Sequence, residues 1–119
     1  MNKNGTFEDC NNALMAMRDS IDIWGGKWKI LIMLYLSWNK NEKNCFMEIK
    51  RNITGISAKM LSKELKDLEL NTLVERTVHN TKPITVEYNV TEYGKSFIEI
   101  ARTLGRWGLK HREVIKSRL

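Results

Sequence analysis

The chain has 119 residues, 42% of them apolar and 29% charged, with one proline, two cysteines and a net charge of +6. At this length one domain around a single core is expected, and the apolar fraction is too high for disorder. The longest purely apolar run, Ile30 to Leu36, is far short of the ~20 residues that span a bilayer, and two cysteines are too few for a disulfide scaffold, so membrane, secreted and fibrous classes are excluded and a reduced cytoplasm is expected.

Residues 1–10 are polar, lack the apolar stretch of a secretory leader and are expected to be loose. Asn11 or Asn12 is the expected N-cap of a first helix, in which Leu14, Met17, Ile21 and Trp24 recur at spacings of three and four. Gly25-Gly26 ends it. A second helix is expected from Lys27 to Ser37 and, being apolar on every side, should be the buried central one. Asn39 to Asn44 reads as a polar loop.

Two short helical segments follow. Phe46, Ile49 and Ile53 mark the first, and Thr54-Gly55-Ile56 breaks it. In the second, Ser57 is the expected N-cap and Ala58, Leu61, Leu65 and Leu68 line the inner face. Such a pair has the pattern of a helix-turn-helix. Next, Ile84, Val86, Tyr88 and Val90 alternate with polar residues, the period of a half-buried strand. Leu73 to His79, rich in valine and threonine, is the expected antiparallel partner across a His79–Pro83 turn. This order of elements predicts a mainly α fold with a small β-hairpin wing, a winged helix-turn-helix. A last helix starts from Thr91 as N-cap, and Tyr93, Phe97, Ile100, Leu104, Trp107, His111 and Val114 step along it by fours and threes. That seam is more than a small domain needs for its own core, and the surplus points to homodimerisation.

The basic surplus is not one solid block, although Lys95 to Leu119 alone carries +5. On the outer face of the Ser57 helix, Lys59, Lys63 and Lys66 form a stripe flanked by Ser57, Met60 and Ser62, with Glu64, Asp67 and Glu69 in partial balance. N-terminal residues of the second helix of such a motif meet base edges in the major groove. Ser57, Lys59, Met60 and Lys63 are therefore the expected base contacts. Ser62 and Lys66, Lys50 and Arg51 on the preceding helix, and His79 and Lys82 at the hairpin tip are the expected phosphate or wing contacts. Arg76 alternates with Val74 and Val78, so its stem is as suited to structure as to phosphate. Cys10 stands just before a helix N-terminus, whose dipole favours a reactive thiol, while adjacent Glu8 and Asp9 oppose it. Cys45 fits packing. Cys10, Cys45, His79 and His111 lack the short spacings of zinc sites, so no metal is expected. A Gly-rich phosphate loop, a nucleophile elbow and an HExxH motif are all missing. Neither an enzyme nor a cofactor is expected.

From Cys10 to His111 the chain resembles the HxlR-type winged-helix transcription regulators, relatives of the MarR group. The resemblance rests on Cys10, on Gly26-Lys27-Trp28-Lys29-Ile30-Leu31-Ile32, on Phe46-Met47-Glu48-Ile49 and on Gly55-Ile56-Ser57-Ala58-Lys59-Met60-Leu61. It continues through Leu73-Val74-Glu75-Arg76 and Pro83 to Gly94, and ends with Trp107 and His111. It implies a homodimer built from the first and last helices, with Leu14, Met17, Phe97, Ile100, Leu104, Trp107 and His111 at the interface and 91–116 as the dimerisation helix. It also implies a recognition helix at Ser57–Leu70, a wing at Val74–Val90, and palindromic double-stranded operators repressed or activated by the protein. The cysteine matching Cys10 senses electrophiles or oxidants in some members, so an oxidant or small-molecule inducer is an expected partner.

Two positions depart from the family. Cys45 replaces the usual arginine before Phe46, and Thr72 replaces the usual glycine, with Asn71 expected to take the left-handed position instead. Two rival readings stand beside the regulator: a winged-helix module that binds protein without specific DNA binding, and a thiol-based redox protein.

Overall fold

The computed structural model describes residues 7–39 and 43–119. Five helices and one hairpin follow in the order α1 (Phe7–Trp24), α2 (Lys29–Trp38), α3 (Phe46–Asn52), α4 (Ala58–Leu70), β1 (Val74–His79), β2 (Thr85–Val90) and α5 (Glu92–Lys116). The winged helix-turn-helix expected from the sequence is present. Residues 1–6 of the segment expected to be loose, and residues 40–42 of the polar loop, lie outside the described residues.

The first helix begins earlier than its Asn11/Asn12 caps suggested. Glu8 and Asp9 fall in its first turn, where carboxylates oppose the positive end of the helix dipole, and Cys10 sits within that turn instead of ahead of it. The second helix begins later, at Lys29. Gly26 has φ of +95°, a conformation that breaks the helical path, and the first intrahelical bond runs from Ile32 N–H to the Trp28 carbonyl at 2.9 Å. Nor is α2 buried on every side. Ile32, Met33 and Leu36 are fully enclosed, whereas Leu31 is half-exposed and Trp38 is exposed.

Around α2 the core gathers Ile49 and Ile53 from the α3 end, Ile56 from the turn, Leu61, Leu65 and Leu68 from α4, Leu73 and Val74 from the wing, and Ile98 from α5. Gly55, at φ of +88°, makes the turn between α3 and α4. Ser57 caps α4 as expected, its Oγ accepting the Met60 N–H at 3.0 Å. β1 and β2 pair antiparallel from Val74 opposite Val90 to His79 opposite Thr85. The entry to α3 is tied to this hairpin, with a bridge between Cys45 and Glu87 and the Tyr88 N–H donating to the Asn44 carbonyl at 2.9 Å.

The close of α4 corrects the expectation for Asn71. Asn71 is the C-cap, with φ of −87°, and Thr72 takes the left-handed conformation at φ of +61°. The hydrogen bonds explain the choice. Thr72 N–H donates to the Glu69 carbonyl and Leu73 N–H to the Leu68 carbonyl, each at 3.0 Å. This is the Schellman arrangement, which requires positive φ one residue past the cap, and its usual apolar contact is available between the buried Leu68 and Leu73. The Thr72 carbonyl then accepts the Thr91 hydroxyl at 2.7 Å. Thr91 also caps α5, accepting the Gly94 N–H at 2.9 Å. Gly94 is compelled by packing, because a Cβ there would run into the Leu73 carbonyl oxygen.

In α5 the row facing the core is Gly94, Ile98 and Ala101. The seam read from the sequence faces elsewhere, with only Phe97 of that row partly covered. No helix among the described residues is long and apolar enough to cross a membrane.

A β-branched residue in the left-handed region costs about 1–2 kcal/mol, of which glycine's extra unfolded-state freedom would return about 0.5–1. Thr72→Gly is therefore expected to raise stability by roughly 0.5–1 kcal/mol, read as a higher urea midpoint at unchanged slope. A lower midpoint would show that the threonine is not strained.

Candidate nucleic-acid interface

The amphipathic character of α4 sorts its side chains. Leu61, Leu65 and Leu68 are enclosed, while Ser57, Lys59, Ser62, Lys63 and Lys66 stand exposed on the other side. One expectation for this helix is corrected. Ala58 is exposed, because the first turn overhangs the core. Met60 is half-buried and packs against the core cluster.

Glu64 and Asp67 do not form the solvated counterweight that the sequence suggested, which leaves Glu69 as the exposed acid of α4. The Glu64 side chain is 9% exposed, and its Oε2 lies 2.9 Å from Lys29 Nζ on α2. Asp67 Oδ2 lies 3.5 Å from the same ammonium. The spacing Leu61, Glu64, Leu65, Leu68 is itself one helical stripe, a signal that places Glu64 inward. Burial pulls the Lys29 ammonium toward losing its proton. The hydrogen bond it donates to Glu64 and the charges of Glu64 and Asp67 outweigh that and hold it above its ordinary value. None of the ion pairs among the described residues uses Lys59, Lys63 or Lys66.

On α3, Lys50 and Arg51 lie in the last turn, where they also complement the helix dipole. Arg51 is exposed and Lys50 half-buried. Lys82 is exposed at the hairpin tip and Arg76 is exposed on β1. His79 has an internal partner instead of a free edge: its Nε2 lies 2.6 Å from Glu87 Oε2 on the neighbouring strand. Asn89 Nδ2 donates to the other Glu87 oxygen at 3.1 Å. Glu87 thus braces the wing from two sides and sits where the Cys45 bridge joins it.

The arrangement is a cationic helix face beside a hairpin, the geometry in which a helix enters the major groove and a wing lies along the backbone. The HxlR-like helix-turn-helix family model matches residues 23–116. The chain belongs to that family. It is 35% identical over 97 residues to the HTH-type transcriptional regulator YtcD of Bacillus subtilis, covering 82% of this chain and 75% of YtcD. The redox regulator HypR in its reduced form is similar at a TM-score of 0.76 and 31% identity, over 86% of this chain and 98% of HypR. The reduced form of the regulator YodB from Bacillus subtilis is similar at a TM-score of 0.66 and 34% identity, over 77% and 87% of the two chains. The protein is accordingly a helix-turn-helix transcription regulator of HxlR type.

As an HxlR-type chain it leaves a large apolar surface uncovered. Every residue of α1 from Asn11 to Asp22 is exposed, as is nearly all of α5 beyond Ala101. Leu14, Met17 and Ile21 are 56–58% exposed, and Ile100, Leu104 and Trp107 53–62%. Phe97 differs from the other expected interface residues, because it stacks on Trp24 at 3.7 Å between ring centroids and fastens α1 to α5 within the chain. His111 stacks on Trp107 at 5.0 Å. Cys10 and Cys45 are both half-buried free thiols. Among the described residues no group of three His, Cys, Asp or Glu side chains is placed to hold a metal ion. A cleft of about 500 Å³ opens between α2, β2 and α5 over Leu36, Val90 and Ile98, a size that small ligands occupy.

The Glu87 carboxyl is held below its ordinary value of 4.5, first by the Asn89 hydrogen bond and then by His79, against the opposing effect of burial. A depressed carboxylate contributes stability that is present above its unfolded value and lost as pH falls through the folded one. Glu87→Gln is therefore expected to lower the urea midpoint at neutral pH and to flatten the loss of stability at acidic pH. Parallel acid limbs in the two proteins would show that Glu87 contributes nothing to it.

Proposed function

We propose that the protein acts as a homodimer on roughly palindromic double-stranded operators in a prokaryotic cytoplasm. One α4 enters the major groove of each half-site, and the wings lie on the flanking backbone. The observation that carries this reading is the exposed Lys59, Lys63 and Lys66 face of α4 beside the hairpin, free of ion pairs among the described residues. Ser57, Lys59 and Lys63 supply the base contacts, with only the exposed part of Met60 available to a thymine methyl. Lys50, Arg51, Ser62, Lys66 and Lys82 engage phosphate and position the helix. His79 acts mainly by stiffening the wing through Glu87. The second copy covers the apolar faces of α1 and α5, including Leu14, Met17, Ile100, Leu104, Trp107 and His111. Coverage of such faces in pairs is the usual solution for a small helical chain.

The signal in this reading is an oxidant or electrophile received at Cys10. It is supported by the likeness to HypR and YodB, whose structures include a reduced form of each.

Two outcomes test the proposal. On the genomic duplex that the protein retains most tightly, Lys63→Ala is expected to weaken binding by about 1–3 kcal/mol and to relax sequence preference. Unchanged affinity and preference would remove this face from the interface. Treatment with the thiol oxidant diamide is expected to change operator affinity of the wild type and to leave Cys10→Ser unaffected, as measured by fluorescence anisotropy. An equal response in both would place the signal elsewhere.

A further inference from the structure

α4 carries three acids among its lysines, and two of them are engaged by a single cation from another helix. Lys29 opens α2 and reaches Glu64 at 2.9 Å and Asp67 at 3.5 Å. The Lys29 and Glu64 side chains are 13% and 9% exposed, so the contact is largely shut off from water and screening ions. Stability alone does not call for this arrangement. A buried ion pair is often replaced by packed apolar residues at no loss, and an apolar residue at position 64 would simply continue the Leu61, Leu65, Leu68 stripe. What the pair does control is where negative charge sits. An α-helix with its side chains is about 10–12 Å across, close to the ~8 Å screening length at physiological salt. A bare carboxylate on the inner stripe would therefore be felt by phosphate lying against the outer one.

We propose that Lys29 is a positioning residue of the nucleic-acid interface: it fixes Glu64 and Asp67 against α2 and offsets their charge, so that α4 presents a cationic face to the phosphate backbone. The inference rests on the nucleic-acid reading above. It predicts that the two ways of breaking one ion pair act in opposite directions. Lys29→Met removes a positive charge and releases a carboxylate. Glu64→Gln removes the carboxylate and leaves the lysine. In the double variant Lys29→Met/Glu64→Gln the remaining Asp67 leaves the cluster with the same net −1 that Lys29, Glu64 and Asp67 carry together.

The experiment measures affinity for the retained duplex across a salt series for wild type, both single variants, the double variant and Lys29→Arg, with thermal unfolding followed in parallel. Lys29→Met is expected to bind about three- to tenfold more weakly at low salt and Glu64→Gln about threefold more tightly, with both differences shrinking as salt rises. The double variant and Lys29→Arg are expected to bind within about twofold of wild type. Weaker binding by Glu64→Gln, or a double variant that binds as poorly as Lys29→Met, would show that the pair only holds the fold together and overturns the proposal. Should Lys29→Met fail to fold, Glu64→Gln and the double variant decide the matter by the same criteria. A wild-type protein that binds no duplex at any salt overturns the nucleic-acid reading itself, whereas duplex binding that responds to Lys63→Ala but not to these variants overturns this inference alone.

Discussion

Three elements with different tasks meet on two peptide groups, those of Thr72 and Leu73. The Leu73 N–H closes α4 on the Leu68 carbonyl, and the Leu73 carbonyl accepts the Thr91 N–H at 3.2 Å. The Thr72 carbonyl accepts the Thr91 hydroxyl, and Gly94 lies directly against Leu73. The end of α4, the root of the wing and the start of α5 are thereby held in one fixed relation. Buried backbone groups must all find partners, and here they find each other. That requirement explains why a threonine accepts positive φ at position 72, and why position 94 admits no side chain.

The junction gives the two surfaces of the molecule their separate characters. On one side α4 turns its leucines and Glu64 inward and its lysines outward, with the wing alongside. On the other, α1 and the far half of α5 extend beyond the core, which contributes to the elongated 61 × 41 × 25 Å form. Burying an exposed side chain such as Leu104 or Trp107 contributes about 1.5–3 kcal/mol. A row of such residues along two helices is therefore a strong inducement to association. The first turn of α5 is part of the junction and its far half carries the exposed apolar row.

Much of this was legible in the sequence because it rests on local signals. Alternation in Thr85–Val90, the Ser57 and Thr91 caps and the leucine stripe of α4 each depend on a few neighbouring residues. What escaped depends on competition or on tertiary partners. The start of α1 turned on acids in the first turn outweighing asparagine caps. Thr72 was chosen over Asn71 by the hydrogen-bond register of the helix end, although asparagine is the better intrinsic left-handed residue. Glu64 reads as a surface charge until Lys29 is placed opposite it. The inner row of α5, Gly94, Ile98 and Ala101, runs beside the longer apolar seam with the same spacing, and periodicity alone does not say which row faces the chain's own core. Met60 and His79 make contacts inside the domain, with the core cluster and with Glu87, that no local signal announced.

Selection from random duplex DNA by the reduced protein at physiological salt tests the central claim most directly. Two copies joined through α1 and α5 should enrich an inverted repeat, with half-site centres about 34 Å, or one helical turn, apart or a multiple of it. Enrichment of single half-sites or direct repeats would contradict the dimer, and a folded protein that enriches no sequence would contradict the specific interface.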